Sequence, residues 1–249
     1  MALLQFSDTT NKKGIVEVLA RRTGTTNAST SSYPLLDKTV DVNFALANFL
    51  ILANQFAGKN QPVDDTNQTD FPVVYANIVS GQQDISITLD ANGNQILDYY
   101  KFRIEYPDGS WHTLEQVDIM DNDDSFLNDT TTGLPTKYEL TAGGIFLNVI
   151  PNYSLTGGLE VYVSRGASYF VSTDTTKVAG IPEIFQEYLV LRPAYFYCLE
   201  KGKSEALAYG VALYGRDGQS GMEGMIKKYY SNRNRGQKRN MQAMKQNNK

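Results

Sequence analysis

Apolar residues recur at helical spacing at both ends of the 249-residue chain and alternate with polar ones through its middle. A first helix is predicted over 11–22, with Ile15, Val18, Leu19 and Arg22 on one face and Ser, Asp and Thr residues available as caps. The polar stretch 23–32 reads as a loop. A second, longer helix is predicted over 37–56. Val40, Phe44, Ala47 and Ile51 repeat at helical spacing there, Leu46, Phe49, Leu50 and Ala53 widen the stripe, and Gly58 marks the end. So broad an apolar face predicts burial against other helices.

From 61 to 70 the chain turns polar, with Pro62 and the Asp64-Asp65 pair, and the period then changes. Strands are predicted at 73–79, 84–89, 99–106, 111–116, 136–141, 145–149 and 159–165. Turn signals separate them: Ser80-Gly81, Asn92-Gly93-Asn94, Pro107-Asp108-Gly109-Ser110, Ala142-Gly143-Gly144 and Thr156-Gly157-Gly158. Alternation is clearest where Phe102, Ile104 and Tyr106 oppose Lys101, Arg103 and Glu105. Short strands at this spacing predict an antiparallel sandwich or small barrel.

Helical patterning returns after Pro182. Ile184, Phe185, Tyr188, Leu189, Leu191, Ala194, Tyr195 and Cys198 form a wide stripe, which Pro193 is expected to kink or split. A last helix, from near Ser204 toward Tyr230, carries Gly210, Gly215, Gly218, Gly221 and Gly224, and is expected to be interrupted between Arg216 and Gly221. The fold class expected is therefore α+β: a helical bundle made from the N- and C-terminal segments, with an antiparallel β-sandwich or barrel-like module inserted. The expected parts are 1–60 (N-terminal helices), 61–178 (β module), 179–231 (C-terminal helices) and 232–249 (a basic extended tail).

Composition narrows the chemistry. Cys198 is the single cysteine, which excludes an internal disulfide, and its apolar setting predicts a buried, inert thiol. His112 is the single histidine, which rules out most His-dependent triads and multi-His metal sites, and packing or solvent exposure is the expected role. The sequence contains no G-x-S-x-G, P-loop, G-x-G-x-x-G after a strand, or H-E-x-x-H. Asp118, Asp121, Asp123, Asp124 and Asp129 supply hard oxygen ligands, but without the glycine and terminal Glu of a calcium loop they read as a solvated acidic loop. No catalytic residue, cofactor or metal is expected, and the protein is read as a non-enzyme. The N-terminus lacks a signal-peptide pattern, and the apolar run 44–53 falls short of the ~20 residues that span a bilayer. A soluble protein made in a reducing cytoplasm, without a membrane partner, is expected.

Charge is unevenly spread. Of 23 Lys and Arg residues, eight fall between Lys227 and Lys249 with no acidic residue among them; the other 15 stand against 27 acidic residues, a net −12. An acidic body with a basic end points to a partner. The 16 tyrosines, with an apolar ring and a polar tip, suit partly wetted contact surfaces.

Between Thr69 and Lys177 an ordered series of short motifs becomes specific. It runs Thr69-Asp70-Phe71-Pro72, Ser80-Gly81-Gln82-Gln83-Asp84, Leu134-Pro135-Thr136-Lys137-Tyr138, Pro151-Asn152-Tyr153 and Thr156-Gly157-Gly158-Leu159. It continues through Tyr162-Val163-Ser164-Arg165, Ser168-Tyr169-Phe170 and Ser172-Thr173-Asp174-Thr175-Thr176-Lys177 to Gly180-Ile181-Pro182. The "S-T-D-T-T-K" stretch offers side chains that can bond local backbone and cap the helix that follows. The series resembles virion structural proteins of tailed bacteriophages, of the head-to-tail connector (adaptor) type, over roughly residues 40–235.

The resemblance implies a ring of about twelve copies beneath the portal of the filled head. Its helices would surround a channel for transient DNA passage, and its far side would meet a downstream tail or second-ring protein. Neighbouring copies and the portal protein are the implied partners, and the virion's head-tail interface the implied location. Within that frame the C-terminal segment is expected to order in a cleft between portal subunits. Tyr229 and Tyr230 would act as anchors, while Lys227, Lys228, Arg233, Arg235, Lys238 and Arg239 pair with portal carboxylates. Two alternatives stand beside it. One is a virion β-sandwich for receptor or glycan binding, with tyrosines stacking on sugars. The other is a DNA-binding accessory protein whose eight cations track phosphates.

Overall fold

The computed structural model describes residues 4–57, 73–117 and 130–232. The chain is mixed α+β and divides into two compact units, one drawn from 1–69 and 167–249, the other from 70–166.

The helical unit begins with a backbone clamp. Gln5 bridges Val178 antiparallel, Phe6 N–H donates to the Lys177 carbonyl, and the Gln5 and Phe6 carbonyls accept from Ile15 and Val16 N–H. Those two donors open helix α1 (Ile15–Thr23) and would otherwise lack partners. No side chain caps α1 at Gly14; instead Glu17 reaches back to the Ser7 hydroxyl (2.7 Å) and the Asp8 N–H (2.9 Å). Gly24 ends the helix at φ 66°, a left-handed position that favours glycine, with Thr25 N–H on the Ala20 carbonyl (2.8 Å). The buried face is Ile15, Val16, Leu19, Ala20 and Thr23, rotated from the expected one: Val18 and Arg22 lie at its margin.

Helix α2 (Leu35–Ala57) holds the larger correction. Val42, Ala45, Leu46, Phe49, Leu50, Ala53 and Ala57 are buried, whereas Val40 (51% exposed), Phe44 (63%) and Ile51 (57%) face outward. The helix is apolar on nearly every side, so spacing alone does not separate the core stripe from the other.

After a 3₁₀ turn at Glu183–Phe185, α3 (Tyr188–Glu200) runs unbroken through a buried Pro193. A kink or a split was expected at Pro193; the helix is not split, and burial of Tyr188, Leu189, Val190, Leu191, Pro193, Ala194, Tyr197 and Cys198 holds it together. Ile184, expected in that stripe, is 65% exposed. The "S-T-D-T-T-K" stretch does not cap this segment: its start follows Pro182 without a side-chain cap, and Asp174 accepts from Val171 N–H (2.8 Å) within its own loop.

The glycine-rich stretch resolves into α4 (Glu205–Tyr214), a hairpin and α5 (222–232). The hairpin pairs β11 (Gly215–Arg216) with β12 (Gln219–Ser220) through Asp217 (φ 52°) and Gly218 (φ 84°). Two successive positive φ values make the tight turn whose twist suits paired strands. A side chain on Gly221 would strike the Leu213 carbonyl group and Gly215 N, so the helix-hairpin-helix junction needs glycine there.

In the β unit one sheet has the order β1 (Val73–Ile78), β10 (Leu155–Arg165), β3 (Ile96–Glu105), β4 (Trp111–Thr113), all antiparallel. A second has the order β2 (Asp84–Ser86), β8 (Gly144–Leu147), β7 (Lys137–Thr141), β5 (Glu115–Gln116), the last pair parallel. A short parallel pair, β6 (Thr132–Gly133) and β9 (Ile150–Pro151), completes the described strands. Val74, Ile78, Phe102, Ile104, Leu159 and Val161 of the first sheet share one core with Ile85, Tyr138, Ile145 and Leu147 of the second, a two-layer arrangement. Thr156-Gly157-Gly158, expected as a turn, lies inside β10. There the register to β1 shifts between Ala76 and Ile78 and Gly157 takes φ 69°, a bulge rather than a chain reversal.

The expected β module ended at 178, but the unit closes at Gly166. Residues 167–178 pack on the helices instead: Phe170 stacks on Phe6 (4.7 Å) and exchanges two backbone hydrogen bonds with the Asn43 amide (both 2.9 Å).

Candidate interaction surfaces

The root of the basic segment is α5. Met222, Ile226 and Tyr230 recur every four residues and are buried, fixing the helix to the core. Tyr230 is 1% exposed and meets the Phe49 ring edge-on at 6.2 Å; Tyr229 is half-buried and meets Phe185 edge-on at 5.3 Å. Both tyrosines therefore belong to this chain's own packing, not to a free anchor for a partner. The reason is register: the four-residue stripe that buries Met222 and Ile226 falls next on Tyr230. Lys227 is half-buried and Lys228 exposed, while Arg233, Arg235, Lys238 and Arg239 lie outside the described residues.

A polar clamp joins α5 to α3. Glu223 Oε1 accepts from the Tyr188 hydroxyl (3.2 Å) and from Arg192 (3.3 Å). Burial pushes the Tyr188 phenol well above its ordinary range; Arg192 opposes this and Glu223 adds to it, so the hydroxyl stays a donor. Helix α5, which carries Lys227 and Lys228, is thus tied to α3.

His112 is exposed, with Nε2 2.8 Å from the Ser110 hydroxyl and its ring stacked on Tyr106 at 4.2 Å. Cys198 is buried, and burial pushes its thiol up. The acidic series from Asp118 to Asp129 lies outside the described residues, and among those described no group of three His, Cys, Asp or Glu is placed to hold a metal. No described helix is long and apolar enough to cross a membrane. On the first β sheet, Arg103 sits over Trp111 (5.4 Å) and Lys101 over Tyr162 (5.9 Å), so cations of the chain itself occupy faces a sugar would stack on.

What the helical unit does present is uncovered apolar surface. Along α2 the outward residues are Leu36 (66% exposed), Val40, Phe44 and Ile51. A cleft of ≈ 300 Å³ between α2 and α3 is lined by Phe44, Ala45, Pro193 and Phe196, with Asp41 and Arg192 as its charges. Between α3 and α4 lies a wider groove of ≈ 720 Å³, lined by Tyr195, Leu199, Leu207, Val211 and Tyr214, with Lys203 at its edge. Helix α4, Glu-Ala-Leu-Ala-Tyr-Gly-Val-Ala-Leu-Tyr, buries only Ala206 and Leu213; Leu207 is 70% exposed. Gly210 lets it approach, since a side chain there would press on the Tyr195 ring at 3.0 Å.

No protein-family model and no curated protein matches this chain. The sequence pattern did hold one missed signal for this surface: an α4 with no charge between Glu205 and Arg216, too apolar for a solvent-facing helix.

Proposed function

We propose that the protein is a structural connector of a tailed-bacteriophage virion, docking beneath the portal and linking the DNA-filled head to the tail. The observation that carries this is the exposed apolar surface of α2, α3 and α4 on a chain whose C-terminal segment is basic. Patches of this kind mark protein partners. The ordered motif series between Thr69 and Pro182, and the poverty of catalytic groups, support the same reading. The portal is the proposed partner of the basic segment, neighbouring copies and a downstream tail or second-ring protein are the others, and DNA passes without being held. An acidic body of net −12 suits a conduit, because like charge lets a polyanion slide past.

The docking segment is proposed to begin beyond Asn232, because Tyr229 and Tyr230 serve the core. The test is a chain ending at Asn232, compared with the full chain for binding to the portal of the same virion by sedimentation and electron microscopy. The shortened chain is expected to melt like the full one and to bind portal at least roughly tenfold more weakly. Equal portal binding would refute the docking role.

A further inference from the structure

Where the 24–34 loop meets α1 and α2, three side chains converge that the connector reading leaves unused. Lys38, in the first turn of α2, is fully buried, and its Nζ donates to the Thr26 carbonyl (2.6 Å) and to Asn27 Oδ1 (3.0 Å). Both acceptors are neutral oxygens, an uncommon way to bury an ammonium. The nitrogen of the same Asn27 amide donates to Glu17 Oε1 (3.4 Å). Glu17 is itself held in place by the Ser7 hydroxyl (2.7 Å) and the Asp8 N–H (2.9 Å). The Tyr33 ring lies 5.2 Å from Lys38 Nζ and stacks on Tyr197 at 4.5 Å, so aromatic surface shields one side of the amine from water.

We propose that Lys38 and Asn27 join in an isopeptide bond, with Glu17 carrying the proton. The neutral amine attacks Asn27 Cγ, the carbon that bears the oxygen Nζ already contacts. The Nζ–Cγ bond forms and the Cγ–Nδ2 bond breaks. Glu17 takes a proton from the attacking nitrogen and passes it to Nδ2, which leaves as ammonia. In sum, one amine and one carboxamide give a secondary amide and ammonia, with no oxidant or cofactor. Burial lowers the Lys38 pKa to about 8, so about a tenth of chains hold the amine form at pH 7. Of the groups that face it, Glu17 of α1 opposes this shift, and the Tyr33 hydroxyl is spent on Asp41 (2.6 Å). Holding amine and amide in contact replaces a chance encounter with a fixed approach. The bond ties the loop to α2 and removes the buried charge; in a chain where it has not formed, Lys38 titrates as a free amine. It needs only this chain, so it is independent of the connector reading.

The test is the intact mass of the full-length chain before and after incubation at about pH 9, where the amine form dominates. A loss of about 17 Da, one ammonia, is expected. Closure of an asparagine on its own backbone loses the same mass, so digestion of the denatured chain decides. Trypsin should no longer cut after Lys38, and chymotryptic cleavage at Leu36 should leave a branched peptide joining the pieces that carry Asn27 and Lys38. Lys38→Met and Asn27→Ala should keep the full mass. Glu17→Gln should slow the loss at least roughly tenfold while the chain still melts cooperatively. Full mass and normal tryptic cleavage after Lys38 in the wild type would overturn the bond, as would a mass loss that persists in Lys38→Met. Loss at the wild-type rate in Glu17→Gln would overturn the role given to Glu17.

Discussion

Tyr230 and Lys228 stand two residues apart on α5 and face opposite environments, one in the core and one in solvent. Tyr230→Ala is expected to destabilise the helical unit by about 3–5 kcal/mol, as for other buried aromatics cut to alanine, and Lys228→Ala by less than about 0.5 kcal/mol. Urea denaturation measures both; a Tyr230→Ala variant as stable as wild type would return that tyrosine to the list of partner anchors. Lys38 offers a second test. It is fully buried, its ammonium donating to the Thr26 carbonyl (2.6 Å) and the Asn27 Oδ1 (3.0 Å). Burial lowers its pKa to about 8, with Glu17 opposing the shift. Below pH 8 the folded and unfolded chains both carry the proton, and the cost of the buried charge is in full force. Between about 8 and the model-peptide value near 10.4 the unfolded chain binds a proton that the folded chain has shed, so stability rises with pH. Unfolding free energy is expected to rise by about 2 kcal/mol from pH 7.5 to 10 relative to Lys38→Met. Parallel pH profiles for the two proteins would show that Lys38 keeps its proton throughout.

At the level of elements, legibility followed contrast. Strand β3 was readable because Phe102 and Ile104 alternate with Lys101, Arg103 and Glu105, and the buried and exposed faces match that alternation. The break after α4 was readable because Gly215, Gly218 and Gly221 cannot all serve a helix, and two of them lie at positive φ in the hairpin junction. The facing of α2 was not readable. Its Val40-Phe44-Ala47-Ile51 series and its Val42-Leu46-Phe49-Ala53 series have similar hydrophobicity and spacing, so no local rule chooses between them. Contacts with the C-terminal helices made that choice: Phe49 meets Phe185 of the 3₁₀ turn, Tyr188 of α3 and Tyr230 of α5, and the other series was left outside. The same ambiguity hid the candidate surface, since a stripe meant for another molecule looks like a stripe meant for the core. The bulge at Gly157 was missed for a related reason, because a glycine pair marks a turn and a bulge alike.

For the molecule as a whole, the division at Asp70 and Gly166 separates two cores that share no buried residue. The β unit also closes on itself. Its first described strand, β1, lies beside its last, β10, with Val73 opposite Tyr162, so the chain enters and leaves at neighbouring positions. A buried ion pair, Arg165 with Asp90 at 3.2 Å, ties the end of β10 to the 90–94 turn, where Asp90 also accepts from the N–H groups of Asn92 and Asn94. Closing contacts of this kind make an insertion an independent folding unit. A polypeptide of residues 70–166 is therefore expected to fold alone, with a β-type circular-dichroism spectrum, dispersed amide resonances and a single cooperative melt. Asp90→Ala in that polypeptide should cost about 3–5 kcal/mol, because Arg165 keeps its buried charge and loses the carboxylate opposite it. The excised unit lacks α2, α3 and α4, so it should stay monomeric at concentrations where the full chain assembles. Collapse into a non-cooperative state would show that the helical unit is needed to hold the insert together, and self-association of the excised unit would place a copy-to-copy contact on the sheets as well.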